Sequence, residues 1–153
     1  MQFYSTNRKT SPVSLREAVV RGLAADRGLF MPEVIRRFPP AFYQNMKEMT
    51  LREISFVVAE SFFGEDVEAG KLKEIVDETL NFDIPLVQVA DNRYSLELFH
   101  GPTLAFKDVG ARFMARLLAY FNKQEGERQV NVLVATSGDT GSAVANGFLD
   151  VPG

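Results

Sequence analysis

Past Asp108 the hydrophobic period of the chain changes twice, and this constrains the fold more than any other feature. Val109, Phe113, Leu117 and Phe121 recur every four residues, with Gly110, Met114 and Leu118 alongside, which predicts an amphipathic helix from Asp108 to Lys123. Val130 to Ala135 is nearly continuously apolar and predicts a short strand in a sheet buried on both faces. A glycine-containing turn follows, then a second helix from about Thr140 to Leu149. Helix, strand and helix in this order open an α/β domain with a parallel sheet. Val151-Pro152-Gly153 stands where the next strand is expected. A sheet cut at that point would leave unpaired edges, so the chain reads as a fragment.

Upstream the pattern differs. Pro85 to Val89 and Tyr94 to Phe99 read as strands, with Asp91-Asn92 as the turn of a hairpin between them. The region before Asn81 reads as mostly helical, which gives two domains, 1–80 and 81–153. Gln2 to Ser5 is a candidate strand. Ser14-Leu15-Arg16-Glu17 and Thr50-Leu51-Arg52-Glu53 both have the spacing of a capping box. The first predicts a helix through Ala18, Val19 and Leu23. The second predicts one with Ile54, Val57, Val58, Ser61 and Phe62 on one face and Gly64 as its stop. Asp66 is expected to open a further helix with Leu72, Ile75, Val76, Thr79 and Leu80 as its stripe. Gly28 to Pro32 is an apolar run ended by proline, read as a buried strand or turn.

Composition removes several function classes. No cysteine is present, which excludes disulfides and thiolate metal sites, and the single histidine, His100, excludes a histidine-rich one. A net charge of −3 argues against a nucleic-acid surface. No apolar run suggests a membrane span and the polar start is no secretory signal, so a cytoplasmic protein is expected.

Two clusters can carry chemistry. In the first, Gly101-Pro102 turns the chain after a strand and Lys107 falls at or just ahead of the first turn of the long helix. The positive end of a helix disfavours an ammonium and favours the neutral amine, the form that attacks an aldehyde. Phe106 and Leu104 are placed to desolvate it, with the same sign of effect. The plain alternative is a surface lysine beside Asp108, an acidic residue that complements the helix dipole. In the second cluster, Thr136-Ser137-Gly138-Asp139-Thr140-Gly141-Ser142 joins the apolar strand to a helix. Its glycines allow close backbone approach and positive φ, and its free N–H groups and hydroxyls suit a carboxylate or phosphate. An ordinary capped turn fits the same residues. The loop is neither a P-loop nor a dinucleotide fingerprint. His100 is either a proton shuttle or phosphate contact, or a turn cap.

Leu96-Glu97-Leu98-Phe99-His100-Gly101-Pro102-Thr103-Leu104-Ala105-Phe106-Lys107-Asp108 and Thr136-Ser137-Gly138-Asp139-Thr140-Gly141-Ser142-Ala143 together resemble the cofactor-lysine motif and substrate loop of the threonine synthase family, fold-type II enzymes dependent on pyridoxal 5'-phosphate. Tyr4-Ser5-Thr6, Leu15 to Ala18 and Gly22 to Glu33 are similar to the family's N-terminal domain, although Arg27 stands where many members carry glycine. The resemblance implies conversion of O-phospho-L-homoserine and water to L-threonine and phosphate. Lys107 would hold the cofactor as a Schiff base and move protons between substrate carbons. Ser137, Asp139 and Thr140 would hold the substrate carboxylate and face the cofactor ring. His100 and Thr103 would meet the substrate phosphate.

The family's glycine-rich loop for the cofactor phosphate is expected in a C-terminal half beyond residue 153. A polypeptide ending there is therefore expected to be inactive and to bind cofactor weakly. Two other readings share these residues: a serine or threonine dehydratase-like lyase, and a non-catalytic phosphate-binding or interaction module.

Overall fold

The computed structural model describes residues 1–124, 126 and 129–152. The chain divides into two compact units, Met1–Val76 and Asp77–Gly153.

In the first unit Gln2–Ser5 (β1) is the centre of a three-stranded antiparallel sheet, between Val13–Ser14 (β2) and Phe30–Pro32 (β3). Phe3 pairs with Val13 on one side and Pro32 on the other, and Phe3 and Ser5 point into the core. The region expected to be mostly helical therefore also holds a sheet. Gly28 is buried, but Leu29 and Met31 are exposed, because β3 is an outer strand with one side open to solvent.

Helix α1 is Leu15–Arg21. Ser14 caps it by accepting the Glu17 N–H at 3.2 Å. The reciprocal half of the box is not the bond Glu17 makes: its carboxylate pairs with Arg21 at 3.1 Å, one turn along. Gly22 takes φ 69° and donates its N–H to the Ala18 carbonyl, which ends the helix. Leu23, expected on the helix, lies past this stop and is exposed.

Helix α2 (Pro40–Asn45) and a single 3₁₀ turn (Met46–Glu48) lead to α3, Leu51–Phe63. Here the capping box is complete: Thr50 Oγ1 accepts the Glu53 N–H at 3.3 Å, and Glu53 Oε2 accepts the Thr50 N–H at 2.7 Å. Gly64 follows as the cap. Of the expected apolar face, Ile54, Val57, Ser61 and Phe62 are half-buried and Val58 is exposed. Ala59 is the fully packed position.

Helix α4 starts at Ala69, later than Asp66, because the Asp66 and Val67 N–H groups both return to the Phe63 carbonyl and close a turn first. The Asp66 carboxylate accepts the Met1 ammonium at 3.1 Å. The α4 stripe is as expected: Leu72, Ile75, Val76, Thr79 and Leu80 are all buried.

The loop before β3 is organised by Asp26. Its carboxylate accepts the Ser5 hydroxyl at 2.6 Å, the Lys9 N–H at 2.9 Å and the Gly28 N–H at 3.0 Å. The Ser5 hydroxyl, foremost, and then these N–H groups hold its carboxyl below the usual range. The stability this lowering contributes is fully present above the ordinary carboxylate pKa of about 4 and is lost as pH falls through the lower folded value. Urea midpoints measured from neutral pH down through that window are expected to fall, and Asp26→Asn is expected to flatten that part of the profile.

Arg27, next in the chain, takes φ 66°. This left-handed conformation carries a penalty of about 1–2 kcal/mol for a residue with a Cβ. Glycine avoids that strain but loses more unfolded-chain entropy, so Arg27→Gly is expected to stabilise the protein by up to about 1 kcal/mol, read as a rise in the denaturation midpoint.

The second unit opens with the expected hairpin. Strands β4 (Leu86–Ala90) and β5 (Arg93–Leu96) pair antiparallel, with a bulge between Gln88 and Ala90 and Asn92 in the turn at φ 56°. Helix α5 runs Lys107–Gln124 and α6 runs Asp139–Phe148. They approach backbone to backbone at Gly147, where an added Cβ would lie 3.0 Å from the Ala111 carbonyl carbon.

The strand expected at Val130–Ala135 does not form. These residues carry no regular structure and are exposed, Leu133 to 93%. A lone strand gains no ladder hydrogen bonds, and among the described residues every strand pairing is antiparallel and none involves this segment. Of the further strand expected at Val151-Pro152-Gly153, Gly153 lies outside the described residues, and Val151 and Pro152 carry no strand. Among the described residues no helix is long and apolar enough to cross a membrane, and no group of three or more His, Asp or Glu residues is placed to hold a metal ion.

Candidate functional site

Lys107 is the first residue of α5 and is reached through two turns in series. The Leu104 N–H returns to the Gly101 carbonyl at 3.1 Å, and the Asp108 N–H returns to the Ala105 carbonyl at 3.0 Å. Leu104 sits at φ 55°, a strained conformation for a residue with a branched side chain. It is 77% exposed, so it does not desolvate Lys107 as expected. Phe106 is also mostly exposed. Its ring centre lies 4.9 Å from Lys107 Nζ, so its contribution is a cation–π contact and not a dry pocket.

Asp108 differs from the dipole-complementing surface residue the sequence suggested. It is completely buried. Its Oδ2 accepts the Thr103 N–H at 2.9 Å and its Oδ1 accepts the Thr103 hydroxyl at 2.6 Å. A Cβ on Gly101 would fall 2.6 Å from Oδ2, so only glycine lets the turn lie this close to the carboxylate. One turn along α5, Arg112 is also buried and donates to the Glu78 carbonyl at 2.6 Å. Burial pushes its guanidinium below its usual value, Arg116 adds to this, and Asp108 and Glu78 oppose it.

His100 turns to Glu97, with Nε2 2.7 Å from Oε2, and its ring stacks on Phe99. That favours the turn-holding use of this histidine in the ligand-free chain.

The second cluster opens α6. Gly138 takes φ 144°, and nothing lies within 4 Å of the place its Cβ would occupy. Its N–H donates to Thr136 Oγ1 at 3.2 Å, and its carbonyl accepts the Ser142 hydroxyl at 3.1 Å. Thr136 and Ser142 thus hold the turn itself, while Ser137 is exposed and Thr140 half-buried. Gly141 was expected to supply positive φ. It is helical instead, and its lack of a side chain makes room for Thr136 Cγ2, 2.7 Å from where a Cβ would be.

The two clusters meet through an ion pair. Lys107 Nζ donates to Asp139 Oδ2, joining the start of α5 to the start of α6 across 32 residues of sequence. The Lys107 side chain is 32% exposed and that of Asp139 55%, so the pair stands at the surface. The Lys107 ammonium, and then the Thr140 N–H, hold the Asp139 carboxyl below the usual range. The pair therefore offers a primary amine beside a permanent carboxylate, at a helix N-terminus with a glycine open to close approach. The sequence offered Asp108 only as a dipole complement and Leu104 only as a desolvating side chain; the Asp108–Thr103 bonds and the left-handed turn at Leu104 were not foreseen. The signal for them was the glycine–proline turn directly ahead of an acidic first helical turn.

A family model described as "Threonine synthase N terminus" matches residues 2–80. The chain is similar to a threonine synthase of Serratia marcescens, 40% identical over 148 residues, which are 97% of this chain and 34% of that protein. The crystal structure of threonine synthase from Escherichia coli superposes with a TM-score of 0.89 at 38% identity over 99% of this chain and 35% of that one. A threonine synthase from Brucella melitensis, described as bound to PLP, gives 0.90 at 36% identity over 97% of this chain and 33% of that one. The chain thus spans about a third of the length of the relatives it matches. It belongs to the threonine synthase N-terminus family.

Proposed function

We propose that this chain is the N-terminal third of a threonine synthase that uses pyridoxal 5'-phosphate bound at Lys107 to convert O-phospho-L-homoserine and water to L-threonine and phosphate. The second unit is then the opening of a fold-type II catalytic domain. The observation that carries this reading is the convergence of Lys107 and Asp139, from two separated motifs, at the paired starts of α5 and α6. The residues present suit the cofactor. The Lys107 amine is accessible, and the open backbone at Gly138 lets a flat ring approach α6.

When bound, pyridoxal phosphate supplies an electron sink for carbanions on the substrate. Lys107 Nζ would be the group that takes a proton from one substrate carbon and returns it to another. Asp139 is the partner that holds Nζ toward the site between these transfers. An ionised Asp139 side chain repels the substrate carboxylate. That carboxylate is therefore held by the Ser137 and Thr140 hydroxyls, with the α6 N-terminus contributing its positive end. His100 and Thr103 are the candidate contacts to the substrate phosphate, and for that Thr103 has to release Asp108. The remaining contacts to cofactor and substrate come from residues outside this chain.

The test is borohydride trapping of pyridoxal phosphate on the full-length enzyme, with peptide mapping and a phosphate-release assay on O-phospho-L-homoserine. A pyridoxyl group on Lys107, with phosphate released in step with threonine, is expected. Keto-acid release from serine or threonine without phosphate release would reassign the site to a dehydratase. Absence of a Lys107 adduct would leave a non-catalytic relative.

A further inference from the structure

We propose that Asp108 and Thr103 are positioning residues: their two hydrogen bonds clamp the strained turn that precedes Lys107 and so set where its amine points. The proposal rests on the reading of Lys107 as the cofactor lysine for its functional meaning. Its physical content is independent of that reading.

Three observations converge on it. Asp108 is fully buried, yet both its oxygens are directed back at one residue, Thr103, five positions earlier. Between them lies Leu104 in the left-handed region, a conformation that persists only where its surroundings over-determine it. Leu104 is itself 77% exposed, so burial of its side chain does little to hold it there. The determination must come from the ends of the turn, and the Asp108 bonds with the Gly101 backbone packed on the carboxylate supply it. Lys107 lies inside this closed unit, one residue before Asp108. A loosened turn frees the first residues of α5, and with them the amine held on Asp139.

Thr103→Val keeps the side-chain volume and the backbone N–H bond but removes the hydroxyl donor. Thr103→Ser keeps the donor. The readout is the rate at which Lys107 is acylated by a small activated ester in the full-length enzyme without cofactor, measured by mass spectrometry against Lys71 and Lys123 in the same digest. Thr103→Val is expected to raise the Lys107 rate alone by about fivefold, the population change that accompanies one lost hydrogen bond of about 1 kcal/mol. Thr103→Ser is expected to restore the parental rate. Asp108→Asn, which places an amide donor or a weaker acceptor against the Thr103 N–H, is expected to act in the same direction and more strongly.

An unchanged Lys107 rate in Thr103→Val would overturn the proposal, as would an equal rise at all lysines, which signals global loosening. If Thr103 serves only the substrate phosphate, the variant raises KM and leaves the ligand-free amine rate untouched, which also overturns it. Because no cofactor is present, failure here is distinct from failure of the borohydride trap.

Discussion

Lys107→Arg in the full-length enzyme is expected to cut phosphate release from O-phospho-L-homoserine by about 10²–10⁴-fold or more, the range for removing a positioned proton-transfer group. Stability is expected to change little. Arginine keeps the positive charge and a donor for Asp139, so the tie between α5 and α6 survives. A guanidinium does not lose its proton in proteins, so it supplies neither a nucleophilic amine nor a base. The variant thereby separates chemistry from architecture, which alanine would not, since alanine also removes the ion pair. The measurement is an initial-rate phosphate assay beside a urea melt. Phosphate release near the parental rate would remove Lys107 from the reaction.

Gly28→Ala is expected to destabilise the protein by about 3–5 kcal/mol, combining overpacking with the loss of a buried hydroxyl's partners. A Cβ there would stand 2.0 Å from Ser5 Oγ, 2.9 Å from the Asn7 nitrogen and 3.1 Å from Asp26 Oδ1. Ser5 is completely buried and has no long side chain to swing aside. It must break its bond to Asp26, or β1 must move. Urea denaturation reads the change as a lower midpoint at constant slope. The mechanism predicts strong non-additivity: Ser5→Ala makes room, so the double variant should be less destabilised than the sum of the two singles. Additive costs would mean that the clash is not with Ser5.

Features written locally in the chain were legible. Thr50 and Glu53 make their box within four residues, the Asp91-Asn92 turn closes its hairpin, and the α4 stripe is buried as its period implies. Lys107 at the head of α5 was also readable, since the change of period marks the helix start. What depended on a competing or distant partner was not. Glu17 fits a box by spacing but is drawn to Arg21. Val130 to Ala135 has strand composition, yet composition does not supply a neighbouring strand. The burial of Asp108 was illegible because acidic residues in first turns are ordinarily solvated, and only the approach of Gly101 and Thr103 makes this one different. In the site, sequence supplied the chemical groups, and the pairing of Lys107 with Asp139 needed the fold.

The close crossing of α5 and α6 at Gly147 ties two distant parts of the chain into one lever. Gly147 and Asp139 are separated by about 12 Å along α6, taking 1.5 Å per residue. A side chain at Gly147 would push against the Ala111 backbone, which cannot yield as a rotamer can, so the whole helix has to tilt or slide. Its far end carries Asp139 away from Lys107. A change at position 147 is thus felt at the opposite end of the helix as well as locally. A substitution there is therefore expected to cost turnover as well as stability.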